Sequence, residues 1–162
     1  MAITQVAQKA QALGLRPLVL TSTLQGEAAE SGKFLGAIAQ EVHRFGQPVR
    51  RPACLIVGGE PTVTMAGKRK GGRVQELVLS AAKTIAGVPK VYVAGIGTDG
   101  PTDVAGAVVD GQTVSRAHKL GYNVDEALYH HDSYRFFQKA GGHLVTGPTG
   151  TNVNDLYVLL AL

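Results

Sequence analysis

The chain has one cysteine, no tryptophan, and only five tyrosines and four phenylalanines among its 162 residues. A single cysteine rules out a disulfide framework and a cysteine-rich metal site. Cys54 itself, inside the apolar run Ala53-Cys-Leu-Ile-Val57, reads as a small buried strand residue. His43, His118, His130 and His131 show no His-x-x-x-His or Cys/His spacing, so they read as solvated side chains and zinc is not expected. No apolar run approaches the ~20 residues of a membrane span, and the first residues lack a signal-type apolar core, which makes the cytoplasm the default. Charge of either sign is modest: 16 Lys+Arg against 12 Asp+Glu leave +4, and with so few aromatics that excess makes no case for nucleic acid. A small anion fits the balance equally well.

What is present is enough apolar content, 44%, for one substantial core, so residues 1–162 are expected to form a single domain. The spacing Ile3, Val6, Ala7, Ala10, Leu13 predicts a helix stopped at Gly14, Pro17–Thr21 a short strand, and Gly26–Phe45 a second helix ending at Gly46. Strands are expected at Ala53–Val57, Val91–Ile96, Ala107–Val109, Leu144–Thr146 and Leu156–Leu162, with Thr62–Met65 as an alternating run that pairs antiparallel with its predecessor. Val74, Leu77, Val78, Ala81 and Ile85 mark a further helix. The stretch from Val114 to Lys139 reads as short helices broken at His130–Ser133, with Ser133 as an N-cap. Strands alternating with helices argue for a three-layer α/β/α sandwich around a largely parallel sheet that the alternating run could make mixed.

Three polar loops interrupt this pattern, each beside an apolar run: Gly58-Gly-Glu60, Gly97-Thr-Asp-Gly-Pro-Thr-Asp103 and Thr146–Asp155. Such loops have little to give a core but can present amides, hydroxyls and carboxylates at strand ends, and their recurrence suggests one shared site. Gly67-Lys-Arg-Lys-Gly-Gly-Arg73 sets four positive charges and three glycines before an amphipathic helix, whose open N–H groups and partial positive charge suit an anion. It is no Walker A loop, having Arg73 and Val74 where that motif has Lys and Ser/Thr. Asp99 and Asp103 are candidates for binding Mg²⁺ or a hydroxyl, with Asp103 equally readable as a turn cap. Asn152 and Asn154 can donate and accept, and Asp155 reads as a turn cap. Gly95-Ile-Gly97 lacks the rest of a dinucleotide fingerprint.

The blocks Gly58-Gly-Glu-Pro-Thr-Val-Thr64, Gly67–Leu77, Gly97–Ala107 and Thr146–Leu156, in that order, resemble the MOFRL domain, the C-terminal half of the type II glycerate kinases, a family that also carries the name hydroxypyruvate reductase. The resemblance runs from about residue 50 onward, with residues 1–50 a looser helix-strand-helix lead-in. It implies transfer of a phosphoryl group from ATP to D-glycerate, with Mg²⁺, in a cleft shared with an N-terminal domain that this chain lacks. The isolated chain would then be inactive. Arg73, Asp99 and Asn154 are carried over as catalytic residues, with Asp99 as base or Mg²⁺ ligand. Glu60, Lys68, Lys70, Gly71, Gly72, Thr98, Gly100, Thr149, Gly150, Thr151 and Asn152 are carried over as substrate or phosphate contacts. A nicotinamide-dependent reductase and a stand-alone ligand-binding domain are the alternatives, and a homo-oligomer is left open.

Overall fold

A computed structural model describes residues 2–64, 71–98, 104–147 and 154–162. The helical spacings of the sequence fold as α1 (Ala2–Ala12), α2 (Ala28–Phe45) and α3 (Arg73–Thr84). Three shorter helices follow, α4 (Thr113–Lys119), α5 (Val124–Tyr129) and α6 (Ser133–Ala140). Gly46 ends α2 in the left-handed conformation that only glycine adopts without cost, and its N–H returns to the Val42 carbonyl. The strands are β1 (Arg16–Leu24), β2 (Ala53–Gly59), β3 (Val91–Ile96), β4 (Gly106–Asp110), β5 (His143–Leu144) and β6 (Asp155–Ala161).

These form one six-stranded sheet in the order β1-β2-β6-β3-β4-β5. It is mixed. β1, β2, β3 and β5 run one way, β6 and β4 the other, so β1–β2 is the hydrogen-bonded parallel pair and the other neighbours are antiparallel. The last strand in sequence is thus central in space, with Leu55 opposite Leu159 on one side and Val93 opposite Leu159 on the other.

The alternation of β6 divides the two faces. Tyr157, Leu159 and Ala161 point with Leu55, Val57 and Val93 into the main core beneath α2 and α3, whereas Leu156, Val158 and Leu160 join Cys54, Ile56 and α1 on the other face. Cys54 is buried, as its apolar run implied. α2 crosses α3 closely: a side chain at Gly32 would strike the Leu77 carbonyl, and one at Gly36 the Thr84 side chain. On the opposite face α1 packs over β1 and β2. Tyr92, on that same face of β3, remains 36% exposed, so the outer layer thins beyond β6.

Two expected elements differ. Thr62 is no sheet strand. It exchanges main-chain hydrogen bonds with the entry to α2, Thr62 N–H to the Gly26 carbonyl and Ala28 N–H to the Thr62 carbonyl, both 2.8 Å, and forms only an isolated bridge to Glu27; Met65 lies outside the described residues. Ser133 is the first helical residue of α6 rather than its cap, which is Asp132.

Candidate anion-binding site

Because β6 runs against β2 and β3, its first residue lies at the edge where those two strands end. Gly59 faces Asp155, and Ile96 faces Leu156. The three polar loops therefore meet, in their described parts, at one sheet edge. The Thr98 hydroxyl donates to the Asn154 carbonyl at 2.7 Å. Asn154 itself holds φ 67, a left-handed conformation that Asn tolerates better than most residues.

α3 begins at the same edge. Gly72 is its N-cap and, being glycine, has no side chain with which to cap the first turn. Arg73, the first helical residue, reaches back to β6: its Nε donates to Asp155 Oδ2 at 2.6 Å and its Nη2 to Asp155 Oδ1 at 3.3 Å. Nη2 also lies 3.0 Å from Glu60 Oε1. The two carboxylates differ sharply in setting, the Asp155 side chain being 1% exposed and that of Glu60 60%. Asp155 accepts a further hydrogen bond from the Tyr157 hydroxyl at 3.3 Å. Burial, reinforced by the Asp155 charge and this hydrogen bond, pushes the Tyr157 hydroxyl well above its ordinary pKa, against a smaller lowering by Arg73.

Arg73, Gly72, Glu60 and Asn154 line one cleft of about 800 Å³. The end of β1 and the turn after it, Ser22-Thr-Leu-Gln-Gly26, also line it, a stretch that sequence reasoning had not singled out because it carries no charge and no motif. Asp155 was also missed. Its signal was available, since Asp155, Tyr157, Leu159 and Ala161 share one phase of the alternation and an acidic residue at a core position needs a buried cation. At Gly71 a side chain would lie 2.5 Å from Ser133 Oγ and 3.1 Å from the His131 carbonyl. That corner is fixed by a second buried acid, Glu76, whose Oε1 lies 3.0 Å from His131 Nδ1. His131 is therefore not one of the solvated histidines. Burial raises the Glu76 pKa, partly offset by the hydrogen bond from His131. Gly95 sits inside β3 against the Tyr157 ring, so Gly95-Ile-Gly97 forms no dinucleotide loop. Lys68, Lys70, Asp99, Gly100, Asp103, Thr149, Gly150, Thr151 and Asn152 lie outside the described residues.

A helix start with a glycine N-cap, an arginine held by a buried carboxylate and a hydroxyl-lined cleft at strand ends make this edge of the α/β domain a candidate site for an anion. The MOFRL family profile matches residues 53–155, and the chain belongs to that family. It is 46% identical over 158 residues to a glycerate 2-kinase of Pyrococcus horikoshii, a match covering 96% of this chain and 36% of that one. It is 42% identical to a D-glycerate 2-kinase of Thermotoga maritima, covering 96% of this chain and 39% of the relative. The crystal structure of a glycerate kinase from Thermotoga maritima superposes with a TM-score of 0.96 at 41% identity, over 99% of this chain and 39% of that one. The chain thus spans well under half the length of each of these relatives.

Proposed function

We propose that this chain is the phosphoryl-binding part of a glycerate 2-kinase, which transfers a phosphoryl group from ATP to D-glycerate to give 2-phosphoglycerate. The observation that carries the reading is Arg73, fixed at the first position of α3 by a buried carboxylate and facing a cleft that also holds a helix start with a glycine N-cap. Phosphoryl transfer asks mainly for positioning and for stabilisation of spread negative charge, which a fixed guanidinium and oriented N–H groups supply without reorganisation. ATP, when bound, supplies the group that moves. Gly72 and Arg73 would hold its oxygens, the Ser22 and Thr23 hydroxyls suit its polar remainder, and Asn154 would orient the acceptor. Among the described residues no group of acids or histidines is arranged to hold a metal, and both acids at the cleft are engaged by Arg73. Mg²⁺ is accordingly assigned no ligand from them; Asp99 keeps its candidacy from the resemblance. In the same reading, the remaining length of the relatives forms the other wall of the cleft, and this chain binds without turning over.

Backbone amide shifts during titration with phosphate or ATP test this reading, alongside ADP release with D-glycerate. Shifts at Gly71–Arg73 without ADP release are expected. Brisk turnover by the 162-residue chain would overturn the half-site reading, and nicotinamide oxidation with hydroxypyruvate would favour the reductase instead.

A further inference from the structure

The Arg73 guanidinium meets two carboxylates, and they are not equivalent. Asp155 takes Nε and Nη2, is 1% exposed and is held again by Tyr157. Glu60 reaches only Nη2, at 3.0 Å, from a side chain 60% exposed at the lip of the cleft. A phosphoryl oxygen bound at Nη2 would meet the Glu60 carboxylate there, and like charges at that distance repel, so the exposed acid is the one placed to withdraw.

We propose that Glu60 is an exchangeable internal anion on Arg73. Its carboxylate compensates the guanidinium until a phosphoryl oxygen arrives, yields that position to it, and returns as the ligand leaves, while Asp155 stays in place throughout. The inference rests on the phosphoryl-binding reading above and adds a mechanism of entry and release to it. The backbone confines the exchange to side-chain rotation. Glu60 N–H is bonded to the Leu24 carbonyl at 2.9 Å, and Gly59, at φ 152, packs so closely on Leu24 that any side chain there would strike its backbone. On the other flank the Thr62 main chain is fastened to Gly26 and Ala28. A turn anchored on both sides cannot swing, but an exposed glutamate on it can change rotamer in nanoseconds. Asp155 has no such freedom, since its withdrawal would separate a buried charge from the guanidinium that compensates it.

The test is the affinity of the 162-residue chain for inorganic phosphate, measured by amide shifts of Gly71–Arg73 in wild type, Glu60→Gln and Arg73→Ala, with side-chain carboxyl ¹³C signals followed in the wild type. Removing an exposed competitor should tighten phosphate binding of Glu60→Gln by about three- to fivefold, mostly through slower release. In wild type the Glu60 carboxyl signal should move on saturation while that of Asp155 holds still. If phosphate binds at Gly71–Arg73 but Glu60→Gln binds it equally or less well, or the Glu60 carboxyl signal does not move, the exchange is wrong and the site stands. If wild type shows no shift at Gly71–Arg73, or Arg73→Ala binds as wild type does, the site reading itself fails and takes the exchange with it.

Discussion

Asp155 opens β6 with a carboxylate that water scarcely reaches, and the groups that meet it, the Arg73 guanidinium and the Tyr157 hydroxyl, make a short polar chain from the cleft into the core. The hydroxyl at its inner end is buried beside a negative charge, so it keeps its proton in the folded protein to a pH well above the ordinary value of 10.0. Below pH 10 the group is protonated folded and unfolded alike, and its contribution to stability is complete. Above that pH the unfolded chain loses the proton while the folded one does not. Stability should therefore fall by up to about 1.4 kcal/mol per pH unit from this group alone. Urea unfolding of wild type and Tyr157→Phe at about pH 9 and about pH 11 isolates it, because other alkaline titrations cancel in the difference. Wild type should lose more stability than the variant over that interval. Equal losses would mean that Tyr157 ionises freely and that the chain of contacts from Arg73 stops at Asp155.

At the scale of elements, the corner between α5 and α6 is pressed against Gly71, two residues before α3, which links a peripheral helix pair to the site. Ser133 is fully buried and its Oγ has no hydrogen-bond partner among the described residues, so what it sets against Gly71 there is a steric limit. Gly71→Ala should destabilise by about 1–3 kcal/mol through overpacking. Ser133→Ala should be neutral or slightly stabilising, because it removes an unsatisfied buried hydroxyl. Since Oγ is the nearest atom to the added methyl, the double variant should recover roughly 1 kcal/mol relative to the sum of the singles in a thermal-unfolding cycle. Strict additivity would assign the constraint to the His131 and Ser133 main chain instead. Elements of this kind were only partly legible. Apolar period gave α2 with its glycine stop and β3 over its full span, because periodicity is a local property of the chain. It misplaced Thr62, which opens an alternation that looks like a strand but whose main-chain partners lie on Gly26 and Ala28. It also passed over Gly32 and Gly36, which matter only because α3 lies against them.

For the whole molecule, what the sequence withheld was order. Nothing local tells that β6 inserts between β2 and β3, yet that insertion brings Asp155 to Arg73 across 82 positions and turns three separate loops into one edge. The pairing that fixes the guanidinium came only with the topology. The arrangement predicts a particular cooperativity. β1–β2 and β3–β4–β5 touch within the sheet only through β6, so an opening that releases β6 exposes both halves together. Native-state hydrogen exchange should then give Leu55 and Val93 opening free energies equal within about 1 kcal/mol. Persistent protection of one half after the other has exchanged would show two separately stable units.

A central strand that comes last in sequence also sets a schedule for synthesis. The inner edge of β2 emerges from the ribosome long before the strand that covers it, and so does that of β3, leaving two rows of unpaired amides and carbonyls waiting on intervening chain. Bare edges of that kind invite the wrong partner, including the same edge on a neighbouring nascent chain. Protection from holdase chaperones during elongation therefore matters more to this fold than to a sheet whose strands pair in the order they are made.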